Sequence, residues 1–81
     1  MIVEIMPTPS FNPRPIMDTQ TLGIVIRERR NALGLRQEDV AMQSGISVPT
    51  VSAIENGKST AQIGLVLQVC KDLGLKLCVE D

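Results

Sequence analysis

The sequence predicts an all-α fold, a small helical bundle closed by one short C-terminal strand. Three observations carry that expectation. Apolar residues recur at three- and four-residue spacing in four segments, and glycines at 34, 45, 57 and 74 end them in turn. Four of the five prolines fall within residues 1–17, outside those segments. Beyond Gly74 the period changes, because Leu75, Leu77 and Val79 alternate with Lys76, Cys78 and Glu80.

Residues 1–17 read as an extended arm, in which Ile2–Ile5 are able to form a short strand ahead of Pro7. The first helix is expected to start at Asp18 or Thr19, either a suitable N-cap, and to run to Leu33. Leu22, Val25, Ile26, Arg29 and Leu33 form its packing face. The second helix spans about Gln37 to Ser44 and buries Val40 and Ala41. Ser47 caps the third, Pro49 is tolerated in its first turn, and Val51 and Ile54 point inward. The fourth is expected from Ser59 or Thr60 to just before Gly74, with a core stripe of Ile63, Val66, Leu67, Cys70 and Leu73. Leu65 and Val69 lie off that stripe, so this helix has a second apolar face suited to a partner.

The tail LKLCVED cannot satisfy its own backbone as a lone strand. Its candidate partners are Ile2–Ile5 and the same strand of a second subunit; the preferred arrangement is a two-fold dimer sheet. Leu65, Val69, Leu75, Leu77 and Val79 are then the expected dimer contacts. The domain reading is an arm at 1–17, a helical domain at 18–74 and a dimerisation strand at 75–81.

Composition bounds the function. The chain has 81 residues, a net charge of −1, no histidine and one aromatic, Phe11, so it makes one small domain with an aliphatic core. Cys70 and Cys78 are too few and too badly spaced for a zinc site and read as core thiols. There is no nucleophile–base pair and no phosphate-cradling glycine loop, so neither an enzyme nor a cofactor is expected. The chain has no apolar run near the roughly 18 residues of a membrane span, and its N-terminus does not read as a signal peptide. A cytoplasmic protein working at the nucleoid is expected.

The stretch from Arg36 to Lys58, RQEDVAMQSGISVPTVSAIENGK, has the form of a helix-turn-helix, which places its second helix in the major groove of DNA. The base-facing candidates are Ser47, Val48, Pro49, Thr50, Ser52 and Ala53, small side chains that imply thin direct readout and a reliance on DNA shape. Gln37, Asn56 and Lys58 are the first choices for phosphate contacts, followed by Arg36, Ser44 and Arg27. Arg27, Arg29, Arg30 and Arg36 suggest a local basic face despite the acidic total. Glu55, the one acid on the recognition helix, is expected to pair with Arg30 and tie that helix to the first.

The segment LGLRQEDVAMQSGISVPTVSAIENGKST resembles the Xre-type, lambdoid-repressor-like regulators of bacteria and phages. The resemblance rests on Leu33-Gly34-Leu35, Gln37, Ala41, Gly45, Val51, Ile54, Glu55, Gly57 and Lys58, and it covers about residues 20–74. It implies a lambda-repressor-like bundle of four to five helices that acts as a dimer on a palindromic operator. The ending LGLKLCVED is similar to that of the HipB-type antitoxins. That similarity implies a strand pairing across the dimer, repression of the protein's own operon and binding of a HipA-like kinase toxin. The alternatives are a stand-alone regulator of a phage or restriction–modification system, and a protein-interaction module that has kept the fold.

Overall fold

A computed structural model describes the backbone of Ile2–Ile5 and all of residues 14–80. The elements are β1 (Ile2–Ile5), β2 (Arg14–Pro15), α1 (Thr19–Ala32), α2 (Gln37–Ser44), α3 (Val48–Glu55), α4 (Ile63–Asp72) and β3 (Leu75–Cys78). Four helices and a C-terminal strand are therefore present. Part of the expected arm, residues 6–13, lies outside the described residues.

Local chemistry explains where the helices begin and end. Asp18 caps α1 by accepting a 2.6 Å hydrogen bond from the Thr21 N–H, which holds its carboxyl below the usual range. Ser47 caps α3 by accepting from the Thr50 N–H at 3.2 Å. The Asp39 carboxylate reaches back to the Arg36 N–H at 2.8 Å and opens α2. Gly45 ends α2 in the left-handed region at φ 70°. Helix α4 starts at Ile63, later than the Ser59 or Thr60 expected. Residues 58–61 form a turn instead, closed by Ala61 N–H donating to the Lys58 carbonyl, and Ala61 packs on the core.

The core joins Leu22, Val25 and Ile26 of α1, Val40 and Ala41 of α2, Val51 and Ile54 of α3, and Val66, Val69, Cys70 and Leu73 of α4. The buried stripe of α4 is thus rotated from the expected one. Val69, expected to face a partner, is fully buried, whereas Ile63 and Leu67, expected in the core, are 62% and 45% exposed. Positions 66, 69, 70 and 73 repeat at helical spacing as well as the expected set does, so periodicity alone did not separate the two. Leu33 also differs: it follows the last turn of α1 and is largely exposed. Ile16 was assigned to the arm, yet it is buried in the core. Burial pushes the Cys70 thiol up to about 11, which keeps it protonated.

The three strands form one sheet in the order β2-β1-β3. Strand β3 runs antiparallel to β1, with Ile2 opposite Cys78 and Ile5 opposite Leu75. The expectation of a strand paired across a dimer is corrected in one respect: its immediate partner is the chain's own β1. Leu75, expected at the dimer, is buried in this chain's core, and Leu77 packs against it. The opposite edge of β3 is the end of the sheet among the described residues. No helix among the described residues is long and apolar enough to cross a membrane.

Candidate nucleic-acid interface

Helices α2 and α3 are joined by Gly45, Ile46 and Ser47, and α3 turns its Val51, Ile54 and Glu55 side toward the bundle. The opposite stripe is Pro49, Ser52, Ala53 and Asn56, at the spacing of one helix face. Ser47 and Thr50 share a 2.8 Å hydroxyl–hydroxyl hydrogen bond at its N-terminal end. Val48, expected at base edges, is half-buried and packs against the core; its apolar side chain follows the N-cap inward. A groove of about 310 Å³ runs between α3 and the 58–62 turn, lined by Pro49, Thr50, Ala53, Lys58, Thr60 and Gln62. The sequence reading missed Thr60 and Gln62, because it placed both inside a helix.

Glu55 organises the region behind α3. Arg30 donates to both its oxygens, from Nε at 2.6 Å and Nη2 at 3.0 Å, and its third guanidinium nitrogen, Nη1, donates to the Leu35 carbonyl at 2.9 Å. Gln37 donates from Nε2 to Glu55 at 3.2 Å, and the Arg27 Nε lies 3.5 Å away. The Glu55 side chain is wholly buried, and that of Arg30 is 13% exposed. Burial alone would raise the Glu55 carboxyl. Hydrogen bonds from Arg30 and Gln37, with the charges of Arg30 and Arg27, outweigh it and hold the group below its ordinary value.

The expected phosphate contacts are less free than the sequence suggests. Ser44 donates to the Asp72 carboxylate at 2.8 Å, which ties α2 to α4. Asn56 accepts from Arg27 Nη2 at 2.8 Å and donates to Ser52 at 3.3 Å. Arg36 pairs with Asp39 and Glu38. Lys58 is exposed and has no ion pair among the described residues. The basic face inferred from four arginines is correspondingly reduced. Arg30 is spent on Glu55, Arg36 on Asp39, and Arg29 donates to the Leu73 carbonyl at 2.8 Å, where it caps α4. Arg27 keeps 45% of its side chain exposed and, with exposed Lys58, supplies solvent-facing cationic charge beside α3.

The remaining expected dimer residues divide by exposure. Val79 is exposed and Leu65 half-buried. A groove of about 470 Å³ lies along β3, lined by Leu67, Cys70, Leu75 and Leu77 among others.

Comparison with known proteins gives a consistent picture. Residues 26–79 match the helix-turn-helix family HTH_3. The chain is 39% identical over 56 residues to the HTH-type transcriptional regulator y4mF of Sinorhizobium fredii, covering 69% of this chain and 74% of that protein. Among solved structures, a HipA-HipB-O2-O3 complex contains a chain that superposes with a TM-score of 0.78 at 22% identity, over 84% of this chain and 96% of that one. The restriction–modification controller protein C.AhdI of Aeromonas hydrophila superposes with a TM-score of 0.62 at 32% identity, over 69% of this chain and 81% of that one.

Proposed function

The chain belongs to the helix-turn-helix family HTH_3, and from that premise we propose that it is a dimeric DNA-binding repressor serving as the antitoxin of a toxin–antitoxin pair. The observation that carries the DNA-binding part is the outward stripe of α3, with Lys58 and Arg27 flanking it and every large apolar residue of that helix turned inward. Helix α3 enters the major groove, and phosphates are held by Lys58, Arg27, Gln37 and the N-terminal amides of α2. The expected substrate is a palindromic operator upstream of the protein's own gene, in cytoplasmic nucleoid DNA. A mobility-shift assay on that DNA at low salt tests the reading, and no shift would end it. Lys58→Ala should weaken binding to any duplex and flatten the dependence of log affinity on log salt by about 0.9. An unchanged slope would remove Lys58 from the phosphate contacts.

Dimerisation is supported by the position of β3 at the end of the sheet among the described residues and by Leu67 and Val79 beside it. Two β3 edges related by a two-fold axis would form one continuous sheet, an isologous interface. It would set the two recognition helices roughly 34 Å apart, one turn of DNA. Leu67→Glu should give a monomer by sedimentation with little change in melting temperature, since Leu67 is already half exposed. A variant that stayed dimeric would exclude this face.

A HipA-like kinase toxin is the partner this reading requires. Its support is the fold likeness to the HipB chains over 84% of this chain and the strand that directly follows α4. A second reading, a regulator of a restriction–modification system, is favoured by the higher identity to C.AhdI. Co-purification with the product of the adjacent gene separates them: a kinase-like protein supports the first, and a neighbouring methyltransferase or endonuclease the second.

A further inference from the structure

Behind the turn that carries Lys58 lies a cavity of about 180 Å³, between α1, α3 and α4. Its floor is aliphatic, formed by the buried Leu22, Ile54 and Val66, and Ala61 and Ile63 extend the apolar wall. The exposed Thr19, Lys58 and Ser59 stand at its mouth. The Thr19 hydroxyl proton is already given to the Gly57 carbonyl at 2.8 Å. The side-chain donors left at the mouth are therefore the Lys58 ammonium and the Ser59 hydroxyl. Lys58 is the one charged residue that lines the cavity, and it has no ion pair among the described residues. Asp18 lines the neighbouring hollow instead, and its carboxylate is turned to the Thr21 N–H.

We propose that this cavity is a binding site for a small aliphatic monocarboxylate, with its chain against the aliphatic floor and its carboxylate on Lys58. An apolar space of about 150 Å³ is enough to hold benzene, so a chain of about six carbons fits here. Burial of that chain supplies the affinity, and a cation at the mouth with no acid in the lining selects a negative head. The site is coupled to DNA by its position. Lys58 and Ala61 line both this cavity and the groove beside α3, so a single turn forms the wall between the two. The coupling rests on the reading that Lys58 holds a phosphate, since a carboxylate on that ammonium takes its charge away from the duplex. A ligand of this class therefore lowers affinity for every DNA sequence alike.

The test is a titration of the full isotope-labelled chain with sodium hexanoate, followed by amide NMR, against acetate and hexanamide at matched ionic strength. Hexanoate should shift the amides of Leu22 and of residues 58–63, with a dissociation constant on the order of 1 mM, the scale for a ligand of about eight heavy atoms. Acetate lacks the chain and should give no saturable shift. Hexanamide lacks the charge and should bind about three- to tenfold more weakly. Lys58→Gln should bring hexanoate down to the hexanamide value. Ile63→Ser, at a residue 62% exposed, should weaken both ligands and leave the spectrum that of a folded chain. Hexanoate binding no better than acetate, or a Lys58→Gln chain that still prefers it to hexanamide, overturns the site. Hexanoate that binds only below the concentration at which the chain self-associates assigns the cavity to a second copy and overturns the site as well. In a duplex-binding assay, saturating hexanoate should lower affinity and flatten the slope of log affinity against log salt by about 0.9. Hexanoate that binds but leaves affinity and slope unchanged overturns the coupling and keeps the site. A chain that retains no duplex at low salt overturns the DNA-binding reading and the coupling, and the NMR titration judges the site independently.

Discussion

Arg30→Ala is expected to cost about 3–5 kcal/mol, the usual penalty for removing one partner of a buried ion pair. For a domain of this size that is a fall in melting temperature of about 12–40 °C. The size follows from what is left behind. The Glu55 side chain is fully buried, Arg30 supplies two of its hydrogen bonds at 2.6 Å and 3.0 Å, and the Leu35 carbonyl loses its donor as well. Gln37 at 3.2 Å and the half-exposed Arg27 are too weak or too solvated to replace it. Arg30→Lys should recover part of the loss, because an ammonium keeps the charge but not the two-pronged geometry. The same pair sets an acid limit. The folded-state Glu55 carboxyl titrates below its ordinary value of 4.5, so its contribution is fully present above that pH. The contribution is lost as pH falls through the lowered folded value. Thermal melts of the wild type from pH 7 down to 3 should show that loss, and Glu55→Gln should flatten it. A melting point moved by only a few degrees in Arg30→Ala would refute the pairing as a source of stability.

Gly23→Ala is also expected to destabilise the fold, though alanine is the better helix former. A Cβ at Gly23 would sit 2.5 Å from the Glu55 carbonyl oxygen and 2.6 Å from that of Ile54. Those atoms are backbone at the end of α3, so no side-chain rotation relieves the clash and one helix must move. Overpacking of this kind costs about 1–3 kcal/mol, occasionally more, against about 1 kcal/mol gained in helix propensity. A net loss of up to about 2 kcal/mol, or as much as roughly 8–16 °C, is expected by calorimetry. Gly64→Ala is the control, since nothing lies within 4 Å of the added carbon there. It should leave the melting point unchanged or slightly raised. If both variants behaved alike, close approach of α1 to α3 would not explain the glycine.

The difference between those two glycines marks how much of the molecule the sequence contains. Turn glycines, the caps Asp18 and Ser47, and the inward residues Val51 and Ile54 were legible because each follows from local chemistry and spacing. The Arg30–Glu55 contact was legible because a carboxylate on a DNA-facing helix needs an explanation. Gly23 was not, since a glycine inside a helical pattern carries no sign of which backbone approaches it. The choice between Leu67 and Val69 on α4 was equally hidden: both fit a helical stripe, and only docking on α2 and β3 decides the rotation. Nor could the sequence show that Ser44 is committed to Asp72, or that Asn56 is shared by Arg27 and Ser52. Such partners lie 28 and 29 residues apart and are brought together by the fold.

The pairing of β1 with β3 has a consequence for how the chain is made. Among the described elements β1 leaves the ribosome first and β3 last, yet Ile2 lies opposite Cys78. One edge of the first strand can pair early with β2, but the edge that meets β3 must wait until the helical domain has been synthesised. The four helices rely on nearer contacts and are able to assemble in the meantime, whereas closing so long a loop is costly and slow. The pairing of β1 with β3 is accordingly the last part of the sheet to form. A nascent chain would thus acquire its helix-turn-helix before the edge proposed to join it to a second copy.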